Sequence, residues 1–352
     1  MNTKELLNRC LEDLENRLDD HVEEVLLKEW KNFINGGVYG ELFRPRRVKA
    51  VAPSVIWPDI RVNEAIWDFD KMALQQFGGC SAAIAQGTGN ILNIRCNYGS
   101  SILISLFGAE MYYMDDKYNT LPTSKPLSGG IEAIKGLIRQ GIPDIYGGLG
   151  EKVFTMAKYY QELMAPYPKI KKYVHVYHPD LQGPMDVCEV LWGSDLFLDI
   201  MDEPEVVHEF LELITQTYTR FMEKWLTIVP FFNGYGVHWG MMYEGNIMIR
   251  DDSAMNFSPK MFDEFIKPYD QRLLDVFGGG AIHFCGRGDH YIESTSSMKG
   301  LYAMNMSQTD YNNMEKIFKN TVDKGIKLIG FNLGVAQDTL NSGRDLKGNI
   351  HC

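Results

Sequence analysis

Apolar residues recur at spacings of three and four over the first 35 positions: Leu6, Leu7, Cys10, Leu11, Leu14, Leu18, Val22, Val25, Leu26, Trp30 and Phe33. Such spacing marks one face of an α-helix. The run predicts a single amphipathic helix ended by the glycines of "NGG" (35–37). The pattern then changes. "VKAVAPSVIW" (48–57), "SSILISLF" (100–107) and "KKYVHVYHP" (171–179) read as strands. Pro204, after acidic residues, opens a helix over 204–226 with Phe210, Ile214, Tyr218, Phe221 and Trp225 on one stripe. "NGYGVHW" (233–239) reads as a strand running into a polar loop. Residues 257–280 predict a helix capped by Ser258, with Pro259 in its first turn, closing glycines, and a kink or split at Pro268. The remainder alternates: strand "AIHFC", a helix near 289–299, strand "LYAMNM", a helix over 311–324, strand "IKLIGF", a short polar connection and strand "GNIHC".

Strands alternating with helices imply βαβ units and a parallel sheet. The expected architecture is a (β/α)8 TIM-type barrel over residues 41–352, preceded by an N-terminal helical extension over 1–40. A doubly wound open sheet is the competing topology. In both, functional groups collect at the C-terminal ends of the strands.

Composition narrows the function. The chain has 352 residues, is 45% apolar and carries a net charge of −11. That charge argues against a nucleic-acid partner. No apolar run reaches membrane-spanning length, and the charged, helical N-terminus is unlike a signal peptide. The expected location is the cytoplasm. There the six cysteines are not expected to form a disulfide framework, so those with polar neighbours become the informative ones.

"IHFCG" (282–286) holds the sharpest signal. His283 and Cys285 are two apart, so on a strand both point to one side. Cys352 ends the last candidate strand. An imidazole and two thiolates form a soft set suited to zinc, and three protein ligands leave a fourth position open. The competing reading is a core histidine and two buried cysteines. His351, next to Cys352, is the weaker ligand because its side chain points to the opposite face. The polar stretch after "GYGVHW" carries His238, Glu244, Asp251, Asp252 and Asn256. It is a candidate pocket lining, with Glu244 the nearest to a metal. In "GRGDH" (286–290), Gly286 turns the chain, and Asp289 either begins the next helix or orients an imidazole. "FRPRRVKA" (43–50) reads as solvated basic surface.

Two stretches resemble the uroporphyrinogen decarboxylase superfamily. One is "GPMDVCEVLWGSDLFLDIMDEPEVVHEFLELIT". The other is "RDDSAMNFSPKMFDEFIKPYDQRLLDVF" followed by "IHFCG". The likeness covers roughly residues 175–352 and implies a barrel. The decarboxylases themselves carry an R-Q-A-G-R motif near the N-terminus, where this chain has "FRPRRVKAVAPSV". The H-x-C pair with a distant cysteine instead resembles the zinc-dependent methylcobalamin:coenzyme M methyltransferase branch. That likeness implies zinc on His283, Cys285 and Cys352, and a methylated corrinoid (methylcobalamin) as donor, carried by a corrinoid protein. It also implies a small-molecule methyl acceptor, and within the candidate pocket lining Glu244 and Asp252 are the candidate catalytic residues, with Tyr235, His238 and Asn256 the candidate cofactor contacts. A metal-free decarboxylase acting on a tetrapyrrole and a non-catalytic corrinoid-binding module are the alternatives.

Overall fold

Asp19 breaks the N-terminal stripe in two. Its side chain accepts hydrogen bonds from the backbone N–H groups of His21 and Val22, an N-cap that starts a new helix. The expected single helix is therefore two, α1 (Thr3–Arg17) and α2 (Asp20–Ile34). Both bury one stripe, so the spacing runs on through a change of axis that it cannot report. The computed structural model describes residues 2–37 and 40–352; Met1, Val38 and Tyr39, all inside the expected extension, lie outside the described residues.

In chain order the strands are β1 (Asn93–Ile94), β2 (Met111–Tyr112), β3 (Thr123–Ser124), β4 (His175–Val176) and β5 (Tyr235–His238). They continue as β6 (Met241–Glu244), β7 (Ile247–Arg250), β8 (Gly280–Phe284), β9 (Leu301–Met306) and β10 (Lys327–Leu328). β10, β9, β8 and β7 lie side by side in one parallel sheet, in that order. Helical segments connect β7 to β8, β8 to β9 and β9 to β10, as parallel pairing demands. Single parallel bridges extend this sheet from Leu328 to Ile350 and from His351 to Phe43. β1 and β4 make a second parallel pair, while β2/β3 and β5/β6 are antiparallel hairpins. The fold is thus mixed α/β with parallel sheets, as the alternation implied. Among the described residues, hydrogen bonding leaves the parallel strands in two sheets and does not close them into one eight-stranded ring. No helix of these residues is long and apolar enough to cross a membrane.

Some expected strands are something else. "SSILISLF" contains a helix, Ile102–Leu106, all of it buried; a short, mostly apolar run has no clear period to separate strand from buried helix. Residues 48–57 form no strand. Pro53 withholds a donor there, and Val48 and Ile56 face solvent. The polar loop expected after residue 239 contains β6 and β7. The "short polar connection" contains a helix, Leu333–Asn341, capped by Asn332. The 257–280 helix does split near Pro268, through a wide π-helical turn over Phe262–Ile266.

The parallel sheet has two packed faces, set by its two-residue side-chain period. Ile247, Ile249, Ile282, Phe284, Met304 and Met306 belong to the larger core shared with the helices. Met248, Ala281 and Ala303 face the other way, into a smaller core with Trp30 and Phe33 of α2 and with Val237, Met241 and Tyr243 of the β5/β6 hairpin. Alanine at 281 and 303 leaves room for those aromatic rings. Each large side chain buried there contributes roughly 1.5–3 kcal/mol.

Arg47, inside the basic run expected at the surface, is also buried. Its guanidinium forms a two-pronged ion pair with Glu23 of α2, at 2.7 and 2.8 Å, and donates to the Thr88 carbonyl. Glu23→Ala would strand that guanidinium. Removing one partner of a buried pair costs about 3–5 kcal/mol, so denaturant unfolding should show a loss of that order. A loss under about 1 kcal/mol would show that the pair is not holding α2 in place.

Candidate metal centre

Register builds the centre. Arg250 of β7 lies opposite His283 of β8, and His283 lies opposite Asn305 of β9. All three are at the C-terminal ends of their strands and on the face that carries Ala281 and Ala303. Cys285 follows β8 directly. Gly286 then turns the chain with φ +72, where a Cβ would stand 2.5 Å from the Met255 sulfur. Asp252 comes two residues after Arg250.

Asp252, His283 and Cys285 bring one ligand atom each within 4.8 Å of one another. The Cys285 Sγ is 3.3 Å from His283 Nε2, and Asp252 Oδ1 is 3.4 Å from that same nitrogen. Ligands bound to zinc at ~2.0–2.3 Å and tetrahedral angles stand roughly 3.3–3.7 Å apart, so the spacing suits a metal ion. Asp252 Oδ1 is buried and has no hydrogen-bond partner, as an oxygen waiting for a cation would be. The carboxylate was expected to be catalytic; the structure places it in the group that could hold a metal ion.

The tautomer of His283 is fixed from behind. The Asn305 amide nitrogen donates to the Ile329 carbonyl at 2.7 Å, so its oxygen must be the group facing His283 Nδ1, at 2.6 Å. Nδ1 therefore carries the proton and Nε2 offers its lone pair toward Asp252 and Cys285. Without metal the same neighbours favour a second proton. Burial alone would depress this imidazole, but Asp252, Cys285 and Asn305 outweigh it and raise its pKa to about 9. Burial works the other way on Asp252, raising its pKa, yet His283, Arg250 and Cys285 hold it well below the usual carboxylate range.

Asp252 is held by both sides of its own chain. Its Oδ2 accepts from Arg250 at 3.0 Å. Beneath it, Asp186 accepts from the backbone N–H groups of Asp252 and Ser253 at 2.9 and 2.7 Å. Burial and the nearby Asp252 charge push the Asp186 carboxyl up to about 7. Arg250 also faces Asp180, which is bonded to Arg95 and to His238 Nε2 (2.9 Å). A connected polar network thus runs from the candidate ligands to His238, Arg95 and Asp180.

The other expected residues lie elsewhere. Cys352 is not in the group; its N–H donates to the Phe43 carbonyl, and burial pushes its thiol up to about 11. His351 accepts from the Gly330 N–H and packs its ring 4.5 Å from Trp30. Glu244 is exposed and pairs with Tyr235 at the opposite end of the strands. Tyr235 lines a pocket of about 260 Å³ with Phe231, Phe232 and His175, and Cys285 is not part of that lining. His238 is fully buried on Asp180, and Asn256 is exposed beside Glu189. Asp289 holds Arg287 and the Asn313 N–H, so Asn305 and not Asp289 orients the imidazole. Arg250, Asn305 and Trp239 were not anticipated. A lone asparagine inside the apolar strand "LYAMNM" was the available signal for one of them.

No protein-family model matches the chain, and no curated protein matches it either.

Two measurements test this geometry. Metal titration should show tight binding of about one Zn²⁺ or Co²⁺ per chain. Cys285→Ser and Asp252→Ala should weaken it severely, Asn305→Ala by about 10–100-fold, and Cys352→Ser little. Equal loss in Cys352→Ser and Asp252→Ala would mean that the terminal cysteine reaches the metal after all.

The second concerns Asp270, which is fully buried near Asp251, with neither carboxylate oxygen hydrogen-bonded. Burial and the charge of Asp186 raise its pKa far above the ordinary value of ~4. The folded state keeps a proton that the unfolded chain loses, so stability should fall as pH rises from about 4 toward 8. Asp270→Asn imitates the protonated form and should flatten that slope, read as Tm against pH. Parallel wild-type and variant profiles would rule out Asp270 as the source.

Proposed function

We propose that this protein is a metal-dependent methyltransferase that moves a methyl group from a methylated corrinoid to a soft nucleophile such as a thiol. In this reading zinc is the metal, and the two parallel sheets are arcs of one (β/α)8-type barrel. The bond from the Gly183 N–H, shortly after β4, to the Arg250 carbonyl of β7 supports that continuity. The observation that carries the function is the Asp252–His283–Cys285 group. It offers three ligands, not four, at the C-terminal ends of parallel strands, where catalytic groups of such folds gather.

Zinc bound there supplies the Lewis acidity that turns a thiol into a thiolate near neutral pH. The chain's own share is positional. Cys285 and His283 would hold the ion from adjacent sites of one strand end. Asn305 holds the Nδ1 proton, so that Nε2 is the nitrogen that would face the metal. Arg250 restrains the outer oxygen of Asp252 and leaves the inner one free. In the overall exchange the acceptor sulfur forms a bond to the methyl carbon. The cobalt–carbon bond breaks, and its electron pair stays with cobalt. The corrinoid is a substrate, brought by a carrier protein.

A decarboxylase reading finds less support. Its arginines would have to face substrate carboxylates, but Arg47 is committed to Glu23.

The test is anaerobic. Metal-loaded protein, methylcobalamin and a panel of small thiols are mixed, and the cobalamin spectrum is followed. Demethylation should require the metal and fall to the protein-free rate in His283→Ala. Full-rate demethylation by metal-free protein would overturn the proposal, because the thiol would then need no metal to become a nucleophile.

A further inference from the structure

The β5/β6 hairpin ends in a two-residue turn, Trp239–Gly240, closed by the His238–Met241 pair. Both turn residues are left-handed, with φ +49 and +80. That is the turn type whose twist suits a hairpin, and its first position favours asparagine, aspartate or glycine. A bulky aromatic there is strained, and strain of this kind persists where the surrounding structure imposes it. The tip is pinned: the Gly240 carbonyl accepts from the Ile91 N–H at 2.8 Å, and a Cβ on Gly240 would stand 2.9 Å from Asn90. The turn therefore has little freedom to relax.

What the indole touches explains why a tryptophan is there. Its ring meets His283 edge-on, with centroids 5.0 Å apart and planes at 83°. The Arg250 guanidinium lies over the ring, 5.6 Å from its centroid. His238 packs against it edge-on at 4.6 Å. Arg250 in turn bonds Asp252 Oδ2. One ring thus contacts one candidate ligand directly and steadies a second through an arginine. Cation–aromatic contact of this kind orients a guanidinium plane. Asparagine or glycine, the residues that the turn prefers, could do neither.

We propose that Trp239 is a positioning residue for the Asp252–His283–Cys285 group, kept in a strained backbone conformation so that its indole braces His283 and Arg250. The proposal rests on reading that group as a metal site.

Three proteins test it: wild type, Trp239→Asn and Trp239→Phe, each titrated with Co²⁺ alone and melted without metal. Trp239→Asn should melt at the same temperature as wild type or a few degrees higher, because asparagine suits the turn. Its Co²⁺ dissociation constant should rise about tenfold or more, the range seen when groups that orient ligands are lost. Trp239→Phe keeps a ring and keeps the strain, so its melting temperature should not rise and its Co²⁺ affinity should fall between the other two. Unchanged Co²⁺ affinity in Trp239→Asn overturns the positioning role. A clear fall in its melting temperature, or failure to fold, overturns the strain. If wild type itself takes up no Co²⁺, the metal site fails and this proposal fails with it; if wild type binds and Trp239→Asn binds equally well, only the role of Trp239 is lost.

Discussion

Three side chains stand abreast on neighbouring parallel strands: Arg250, His283 and Asn305. That single row is the constraint from which the centre follows. A slip of one residue in any of the three strands would send its member to the helix-packed face, because successive side chains alternate sides. The row is held by what lies below it. Ala281 and Ala303, two residues earlier on their strands, are small enough to admit Trp30, Phe33 and the hairpin residues. A slip would thus push isoleucine, phenylalanine or methionine into that space and polar groups into the apolar helical core. The packing of α2 and the hairpin, and the chemistry at the strand ends, depend on the same parity.

Parity also separates two consecutive acids. Asp251 and Asp252 leave the end of β7 on opposite sides. Asp251 goes to the helix side, is buried against Asp270 and is pushed well above the usual carboxylate range, by burial first and by its acidic neighbours second. Asp252 goes to the site, meets Arg250 and His283, and stays ionised. The protein thus has a neutral, proton-holding layer on one side of the strand end and a charged one on the other. Only the charged side has the donors that a cation needs. The hairpin completes that side from above, with Trp239 against His283 and Arg250.

Much of this was legible in the order of residues, and its limits have physical causes. The βα rhythm after residue 200, the Ser258 cap, the break near Pro268 and the pairing of His283 with Cys285 are local properties. They rest on a period, a cap or a two-residue spacing. The errors fall where local pattern carries no information. "SSILISLF" is buried along its whole helical segment and became a helix. The polar positions after Trp239 hid two strands because both of β6's faces are covered by protein, which erases alternation. Cys352, placed by its strand end and by the resemblance, lies on a segment bridged to β10, three neighbours along the sheet from β8, and is not one of the atoms grouped with Asp252, His283 and Cys285.

By itself, then, the sequence determined the elements whose residues lie close together along the chain, and it put an imidazole and a thiol on one side of one strand. It could not decide what faces them. The third ligand candidate, Asp252, follows the end of β7, 31 residues before His283; the group that fixes the imidazole tautomer comes from β9; the ring that braces it comes from a hairpin turn. These contacts exist only through strand register and hairpin docking. They are set by how alanine, tryptophan and phenylalanine share space in a core assembled from distant segments, and no short-range spacing encodes that.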